Sequence, residues 1–157
     1  MPIYFSFTFL VAYLLFSKVD NKRIRNVLLV ILILGLFSGN FWVYPKKISQ
    51  GWDSTLAHLP YYKLRTKMLK FIDINEIDKA NIGYDFPGAY PQKYLDLSNE
   101  TWRFPEANLL VHEYILYSSV VNDFTDKEIE ELENNWEILH QENSITVDII
   151  LYKRKKL

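Results

Sequence analysis

Two long stretches without a charged side chain dominate the first 44 residues. They run from Met1 to Phe16 and from Val27 to Tyr44, and the basic segment SKVDNKRIRN at 17–26 separates them. Inside a bilayer every backbone N–H and C=O must be paired within the segment, so an isolated apolar run can cross only as a helix. A run of about 18 residues gives a helix of about 27 Å, close to the roughly 30 Å hydrocarbon core. The pattern therefore predicts transmembrane helices at 1–17 and 27–45.

The charges of the separating segment predict an orientation. Short loops rich in Lys and Arg stay in the cytoplasm, and this segment carries four basic residues against Asp20: Lys18, Lys22, Arg23 and Arg25. A signal peptide has positive residues before its apolar core, and none stands there in this chain. We therefore expect a cytoplasmic loop at 18–26 and an extracytoplasmic domain at 46–157.

The composition of residues 46–157 restricts the possible functions. This part contains 14 Lys and Arg residues and 18 Asp and Glu residues, a net charge of −4. An acidic domain repels a phosphate backbone, so no nucleic-acid partner is expected. The chain has no cysteine, which excludes disulfides, thiolate catalysis and Cys-type zinc sites.

The pattern of apolar residues predicts a small sheet backed by helices. Pro60 suits a first helical turn, and apolar residues recur behind it at helical spacing. NIGYDFP and EYILYSSVV read as strands, and SITVDIILYKRK reads as a last strand that pairs with EILHQE as a hairpin. The expected fold class is therefore α/β, or α+β, with two N-terminal transmembrane helices before the sheet domain.

The segment DFTDKEIEELENNWEIL gives the clearest local signal. Thr125 followed three residues later by Glu128 predicts a capping box at the start of a helix. The buried stripe of this helix is predicted to consist of four residues, namely Ile129, Leu132, Trp136 and Leu139.

Candidate binding residues cluster in GWDSTLAHLPYYKLR, directly after the second apolar run. Asp53 and His58 would meet a lipid-phosphate substrate there, with His58 and Lys63 or Arg65 supplying positive charge. The alternative is that this stretch fixes the angle between span and domain, and that interpretation is favoured. The three histidines lack metal-ligand spacing, so no metal site is predicted. The sequence contains no G-x-S-x-G, Walker-type loop or dinucleotide fingerprint, so no cofactor or catalytic residue is predicted. The candidate substrate-binding residues are Asp53, His58, Tyr61 and Tyr62 in this stretch, together with Trp102 further along the chain.

A loop rich in rings, GYDFPGAYPQKYLDLSNETWRFP, contains six aromatic residues between Tyr84 and Phe104. Rings in a loop can grip a sugar or an isoprenoid chain. A long irregular loop also needs rings to pin it to a sheet. The second interpretation is favoured.

Several segments together carry a family resemblance: WDSTLAHLPYYKLRTKMLKFI, NIGYDFP, YLDL, EYILYSSVVNDFTDKEIEELENNWEIL and ITVDIILYK. They resemble the C-terminal region of bacterial, Bacteroidetes-like, multi-span glycosyltransferase-like membrane proteins of the GT-C type, which depend on polyprenyl-phosphate sugars. The resemblance covers roughly residues 26–157. It implies a last transmembrane helix followed by an extracytoplasmic domain. The catalytic acidic residue of that family lies in its first extracytoplasmic loop, and no residue here matches it.

The resemblance and the charge pattern together give a functional expectation. The chain is expected in the bacterial inner membrane, as the non-catalytic C-terminal part of a glycosyltransferase. Its expected partners are membrane lipid, a polyprenyl-phosphate sugar or a larger membrane subunit. The alternative is a non-enzymatic, membrane-anchored interaction or structural domain.

Overall fold

A computed structural model describes residues 2–38, 56–121 and 123–155. The chain divides into two compact units, Met1–Asn40 and Phe41–Leu157. The first unit contains two helices, and the second contains a four-stranded sheet together with helices. The mixed class of helix and sheet that the sequence predicts is therefore confirmed.

The N-terminal unit consists of α1 (Pro2–Ser17) and α2 (Lys22–Ser38). Asn21 explains where α2 begins, because its Oδ1 accepts hydrogen bonds from the backbone N–H of Arg23 at 2.9 Å and of Ile24 at 3.3 Å. An Asn side chain in this position satisfies amides that have no partner inside the helix. The helix thus starts within 18–26, the segment that was expected to form the loop.

The prediction of two transmembrane helices is wrong. Among the described residues, no helix is both long enough and apolar enough to cross a membrane. Helix α1 has 16 residues and α2 has 17, which makes each about 24–26 Å long, short of the roughly 30 Å core. Because Asn21 caps α2, the helix begins at Lys22, and its first turn therefore contains basic residues. Residues Asn40, Trp42, Tyr44 and Pro45, at the far end of the predicted second span, lie outside the described residues.

The sheet of the second unit has the strand order β1–β2–β4–β3. β1 and β2 are parallel, whereas β4 is antiparallel to both of its neighbours. The pairing of β3 with β4 confirms the predicted hairpin. The strands are β1 (Ile82–Gly83), β2 (Tyr114–Ser118), β3 (Trp136–Asn143) and β4 (Asp148–Arg154).

Two longer helices, α3 (Pro60–Ile74) and α5 (Asp126–Asn135), cover opposite faces of this sheet. Side chains alternate along a strand, so β4 supplies both cores. Ile149 and Leu151 pack on the α3 side, and Ile150 and Tyr152 pack on the α5 side. The result is a three-layer unit with β4 buried on both faces. A short helix, α4 (Lys93–Asp96), lies in the loop between β1 and β2.

Helix α3 follows its predicted pattern. Pro60 occupies its first turn, where a missing N–H has no consequence because that amide would be unpaired in any case. A buried stripe runs along one side at spacings of three and four residues, as the sequence predicts. The buried apolar residues are Tyr61, Leu64, Met68 and Ile72.

The start of α5 is also as predicted. The Thr125 hydroxyl accepts a hydrogen bond from the Glu128 backbone N–H at 3.3 Å, and the Glu128 carboxylate accepts one from the Thr125 N–H at 2.8 Å. This reciprocal pairing is the capping box. Phe124 and Ile129, on either side of the cap, are both buried in the core beneath α5.

The end of α5 differs from the sequence pattern. The helix stops at Asn135, and Trp136 opens β3 in extended conformation while remaining buried. The prediction that Leu139 continues the helical stripe is wrong, because Leu139 lies on β3 and packs on the α3 side of the sheet. Pairing of Trp136 with Arg154 on β4 begins at once. The ladder hydrogen bonds of the hairpin therefore outweigh the helical periodicity at this point.

Candidate functional site

The structure separates the residues that the sequence grouped as substrate-binding. Asp53 lies outside the described residues. His58 ends a short 3₁₀ helix, Leu56–His58, and its ring meets that of Tyr62 edge-on at 6.2 Å between centroids. Tyr62 is exposed on α3. His58 and Tyr62 are therefore the two members of the set that share a surface.

Tyr61 is a core residue in this structure. Its hydroxyl lies 2.7 Å from that of Tyr84, in a buried hydrogen bond. Burial is the main cause that raises the pKa of Tyr61 well above its ordinary value, and Tyr84 adds to the rise. The pair joins α3 to the segment that follows β1. The Tyr61 hydroxyl therefore stabilises the core and does not lie on the binding surface.

Trp102 is half-buried and lies in the aromatic loop. Its ring packs edge-on against Phe104, with centroids 5.2 Å apart, and the Lys79 ammonium lies 4.4 Å from the Trp102 centroid. Its carbonyl oxygen accepts a hydrogen bond from the Gln92 N–H at 3.0 Å. The ring and the backbone of Trp102 thus both hold the loop in place.

The six rings of the aromatic loop divide into two groups. Three are buried or half-buried against the core, namely Tyr84, Trp102 and Phe104. The other three stand in solvent, with Phe86 37%, Tyr90 57% and Tyr94 68% exposed. One set of rings thus pins the loop, as the favoured interpretation predicts, and the second set remains exposed at the surface.

Arg65 and Gln92 fix the course of this loop. Arg65 is buried and donates hydrogen bonds to the side chains of Gln92 and Asp96. The Gln92 amide in turn donates to the carbonyl oxygens of Gly88 at 3.3 Å and Tyr90 at 3.2 Å. Gln92 thereby links the Arg65 side chain to the backbone of the loop. The position of Tyr90 is therefore set by a residue of α3.

Gly88 is required by the same packing. A Cβ at this position would lie 1.8 Å from the Cδ1 atom of the Tyr84 ring. The ring of Tyr84 rests directly on the backbone there, and only glycine permits so close an approach. The buried and the exposed rings of the loop are thus held in one arrangement.

An open pocket of about 390 Å³ lies beside two of the exposed rings. The Phe86 and Tyr90 rings meet edge-on at 5.9 Å between centroids with an interplanar angle of 76°. Carboxylates and one guanidinium line the remainder. We call this the acidic–aromatic pocket, and its lining residues are Asp85, Phe86, Ala89, Tyr90, Arg103, Glu106 and Asp123.

Two carboxyl groups of the pocket have perturbed acidity. Burial raises the pKa of Asp85, although a hydrogen bond of 2.9 Å from the Ala107 N–H to its Oδ1 opposes the rise. Burial also raises the pKa of Asp123, and repulsion from Asp85 adds to it. Carboxyl groups in such surroundings are frequent at functional sites.

The pocket offers the chemistry of polyol recognition. Carboxylates accept hydrogen bonds from hydroxyl groups, the Arg103 guanidinium donates them, and ring faces contact the C–H surfaces of a sugar. Within the described residues, no group of three or more His, Asp or Glu side chains is arranged to hold a metal ion. The carboxylates, the guanidinium and the rings of the lining suit binding by hydrogen bonds and ring contacts.

The aromatic half of the pocket was visible in the sequence, but the carboxylate half was missed. Asp85 follows β1 and Asp123 follows β2, and these two strands are parallel neighbours. The C-terminal ends of parallel neighbours emerge on the same side of a sheet, which is a frequent position for ligand sites. An acidic residue shortly after each of two predicted strands was the signal available.

Comparison with known proteins adds no relative to this description. No family model, no curated protein and no solved structure matches the chain.

Proposed function

We propose that the sheet-containing unit recognises an uncharged saccharide in the acidic–aromatic pocket, as a non-catalytic part of a glycosyltransferase-like protein. The observation that carries the proposal is the exposed Phe86–Tyr90 pair beside Asp85, Asp123 and Arg103. Exposed rings beside a small number of hydrogen-bonding groups are typical of sites that bind small ligands.

The charge of the pocket supports an uncharged ligand. Asp85, Glu106 and Asp123 face a single basic residue, Arg103. Such an excess of carboxylates repels phosphates and uronic acids and leaves hydroxyl groups as the suitable partners. The pocket consequently suits the acceptor sugar of a glycosyl transfer better than a phosphate-linked donor.

The same charge supports the non-catalytic role. Transfer from a polyprenyl-phosphate sugar requires groups that stabilise the leaving phosphate as charge develops on it. The acidic–aromatic pocket has the opposite charge. Binding of an acceptor there would raise the local concentration of substrate for a catalytic site elsewhere in the protein or its complex.

The test measures saccharide binding by the full chain with saturation-transfer NMR. Any detergent in the sample must lack a sugar head group, because an alkyl glycoside would itself compete for the pocket. Neutral hexoses and N-acetylhexosamines are expected to bind, whereas uronic acids and sugar phosphates are not. A preference for the charged sugars would overturn the proposal, as would the absence of any saccharide binding.

Matched variants place the binding in the pocket. Tyr90→Ala should weaken binding about ten-fold, because a ring contact contributes about 1–1.5 kcal/mol. Tyr94→Ala removes another exposed ring, one that does not line the pocket, and should leave the affinity unchanged. Equal losses in both variants would place the binding outside the acidic–aromatic pocket.

A further inference from the structure

We propose that the exposed side of α3 docks onto the surface of an anionic lipid bilayer. Three lysines of α3 lie there at spacings of four and three residues, which places Lys63, Lys67 and Lys70 on one stripe. We call this stripe the basic face. It lies opposite the buried stripe that contacts the sheet, so the three ammonium groups point away from the core.

Most of the charge on this face is not neutralised within the protein. Lys63 and Lys70 form no ion pair within the described ranges of the chain. Lys67 contacts Glu142 at 3.1 Å, but its side chain remains 53% exposed. The basic face therefore keeps a net positive charge that an anionic partner can satisfy.

Exposed aliphatic side chains border one end of the basic face. Leu56 and Leu59 are exposed just before α3, and Ile145 is 87% exposed at the tip of the β3–β4 turn. The Thr146 hydroxyl ties the turn to this segment by donating to the Ala57 carbonyl oxygen at 2.7 Å. We call Leu56, Leu59 and Ile145 the apolar rim. Aliphatic side chains beside a row of lysines are typical of surfaces that lie in a membrane interface.

Two of the candidate residues named from the sequence lie at the same end. Tyr62 is exposed and His58 is half-buried, and their rings are in edge contact at 6.2 Å. Rings with an apolar body and a polar tip favour the headgroup level of a bilayer. The basic face, the apolar rim and these rings therefore offer headgroup and acyl contacts side by side.

The other side of the unit has the opposite charge, which favours one orientation. Helix α5 covers the far face of the sheet and carries five acidic residues against Lys127. An anionic surface attracts the basic face and repels α5, so the unit is turned with α3 toward the lipid. This complementarity of charge selects an anionic bilayer as the occupant.

The experiment uses a local probe in the full chain. The sequence contains no cysteine, so Thr66→Cys gives a single site on the exposed side of α3 for an environment-sensitive fluorophore. Emission should shift to the blue with vesicles of phosphatidylcholine and phosphatidylglycerol, and not with vesicles of phosphatidylcholine alone. Added salt should reverse the shift. The same probe at Lys127→Cys on α5 should respond to neither vesicle.

Charge variants distinguish docking of α3 from other contacts with lipid. In the Thr66→Cys background, Lys63→Gln combined with Lys70→Gln should raise the anionic lipid needed for half of the shift about thirty-fold, or about five-fold per charge. Equal shifts with both vesicle types, equal shifts at both probe positions, or an unaffected double variant would each overturn the proposal. A shift caused by inorganic phosphate without vesicles would also overturn it, since it would identify a phosphate site in place of a bilayer surface.

Discussion

Helices α3 and α5 cover the same sheet from opposite sides, yet their charged residues are mostly of opposite sign. Helix α3 carries four basic residues and one acidic residue, and α5 carries five acidic residues and one basic residue. Each buries a stripe of apolar side chains on β4 and its neighbours. The buried stripe thus decides where a helix lies, and the exposed side is left free to carry charge and function.

The two helices also begin in different ways. Helix α5 starts with a complete capping box at Thr125, whereas Leu59 before α3 makes no side-chain cap, and Pro60 occupies the first turn. Helix α3 compensates through long-range polar contacts of Arg65 with Gln92 and Asp96. We therefore expect α5 to depend on local signals and α3 to depend on tertiary contacts.

The largest expected effect comes from breaking the α5 side of the sheet. Trp136→Ala should lower the free energy of unfolding by about 3–5 kcal/mol, because it empties a large volume in the core beneath α5. Urea unfolding of the full chain measures this loss. The neighbouring exposed change Glu137→Ala should stay within about 0.5 kcal/mol of the parent. An unchanged unfolding midpoint in Trp136→Ala would show that Trp136 does not contribute to the core beneath α5.

Breaking the polar anchor of α3 should have the next largest effect. Arg65→Met keeps most of the side-chain volume but leaves the buried Oε1 of Gln92 without its donor, which should cost about 1–3 kcal/mol. The loop that holds Tyr90 should loosen as well, so saccharide affinity should fall together with stability. Lys70→Met changes an exposed cation of the same helix and provides the control. If both variants unfold at the same urea concentration, Arg65 does not anchor the loop.

The local signal of α5 can be tested at its cap. Thr125→Ala should destabilise the unit by about 1 kcal/mol, because the Glu128 amide loses its acceptor. Leu59→Ala at the corresponding position of α3 removes no cap and should change stability by less than about 0.5 kcal/mol. Hydrogen exchange of the first-turn amides reads out each helix separately. Faster exchange in α3 than in α5 after these changes would contradict the comparison.

The smallest expected effect concerns Glu142 on β3, which pairs with Lys67 of α3 and with His140 of its own strand. Burial acts to raise the pKa of Glu142, but hydrogen bonds from Lys67 and His140 outweigh it and lower the pKa below its ordinary value of 4.5. A carboxyl group with a lowered folded-state pKa stabilises the fold above its unfolded pKa, and this contribution disappears as the pH falls through the folded value.

Glu142→Gln should therefore reduce the stability of the chain by a few tenths of a kcal/mol at neutral pH, since partly exposed ion pairs contribute little. The difference from the parent should vanish in acid, where a protonated Glu142 no longer pairs. Urea unfolding at neutral and at acidic pH measures both values. A difference that persists or grows in acid would show that the charge of Glu142 is not its origin.

Local periodicity and capping chemistry could be read directly from the sequence. The buried stripe of α3, the capping box at Thr125 and the β3–β4 hairpin all depend on residues close together in the chain. The same reasoning failed at Trp136, where helical spacing continues in the sequence but the chain turns into β3. The hydrogen bonds that decide this point come from β4, and no local pattern contains them.

The candidate site shows the same limit. The aromatic loop was recognised as one feature, but only burial separates the pinning ring of Phe104 from the open ring of Tyr90. Asp123 was not singled out, because it lies far from Asp85 in sequence and reaches the pocket through the parallel pairing of β1 with β2. His58 and Tyr62 meet as the sequence grouping suggests, whereas Tyr61 turns inward to Tyr84.

The sequence by itself determined the mixed class of helix and sheet, the buried stripe of α3 and the cap of α5, because each depends on forces between residues a few positions apart. The tertiary structure decided which rings face solvent, which carboxylates share a pocket and where α5 gives way to β3. It also showed helices α1 and α2 to be too short for the predicted spans within the described residues. These outcomes depend on burial and on pairing between segments that are distant in sequence. Both are determined only when β4 packs between its two neighbouring strands and between α3 and α5.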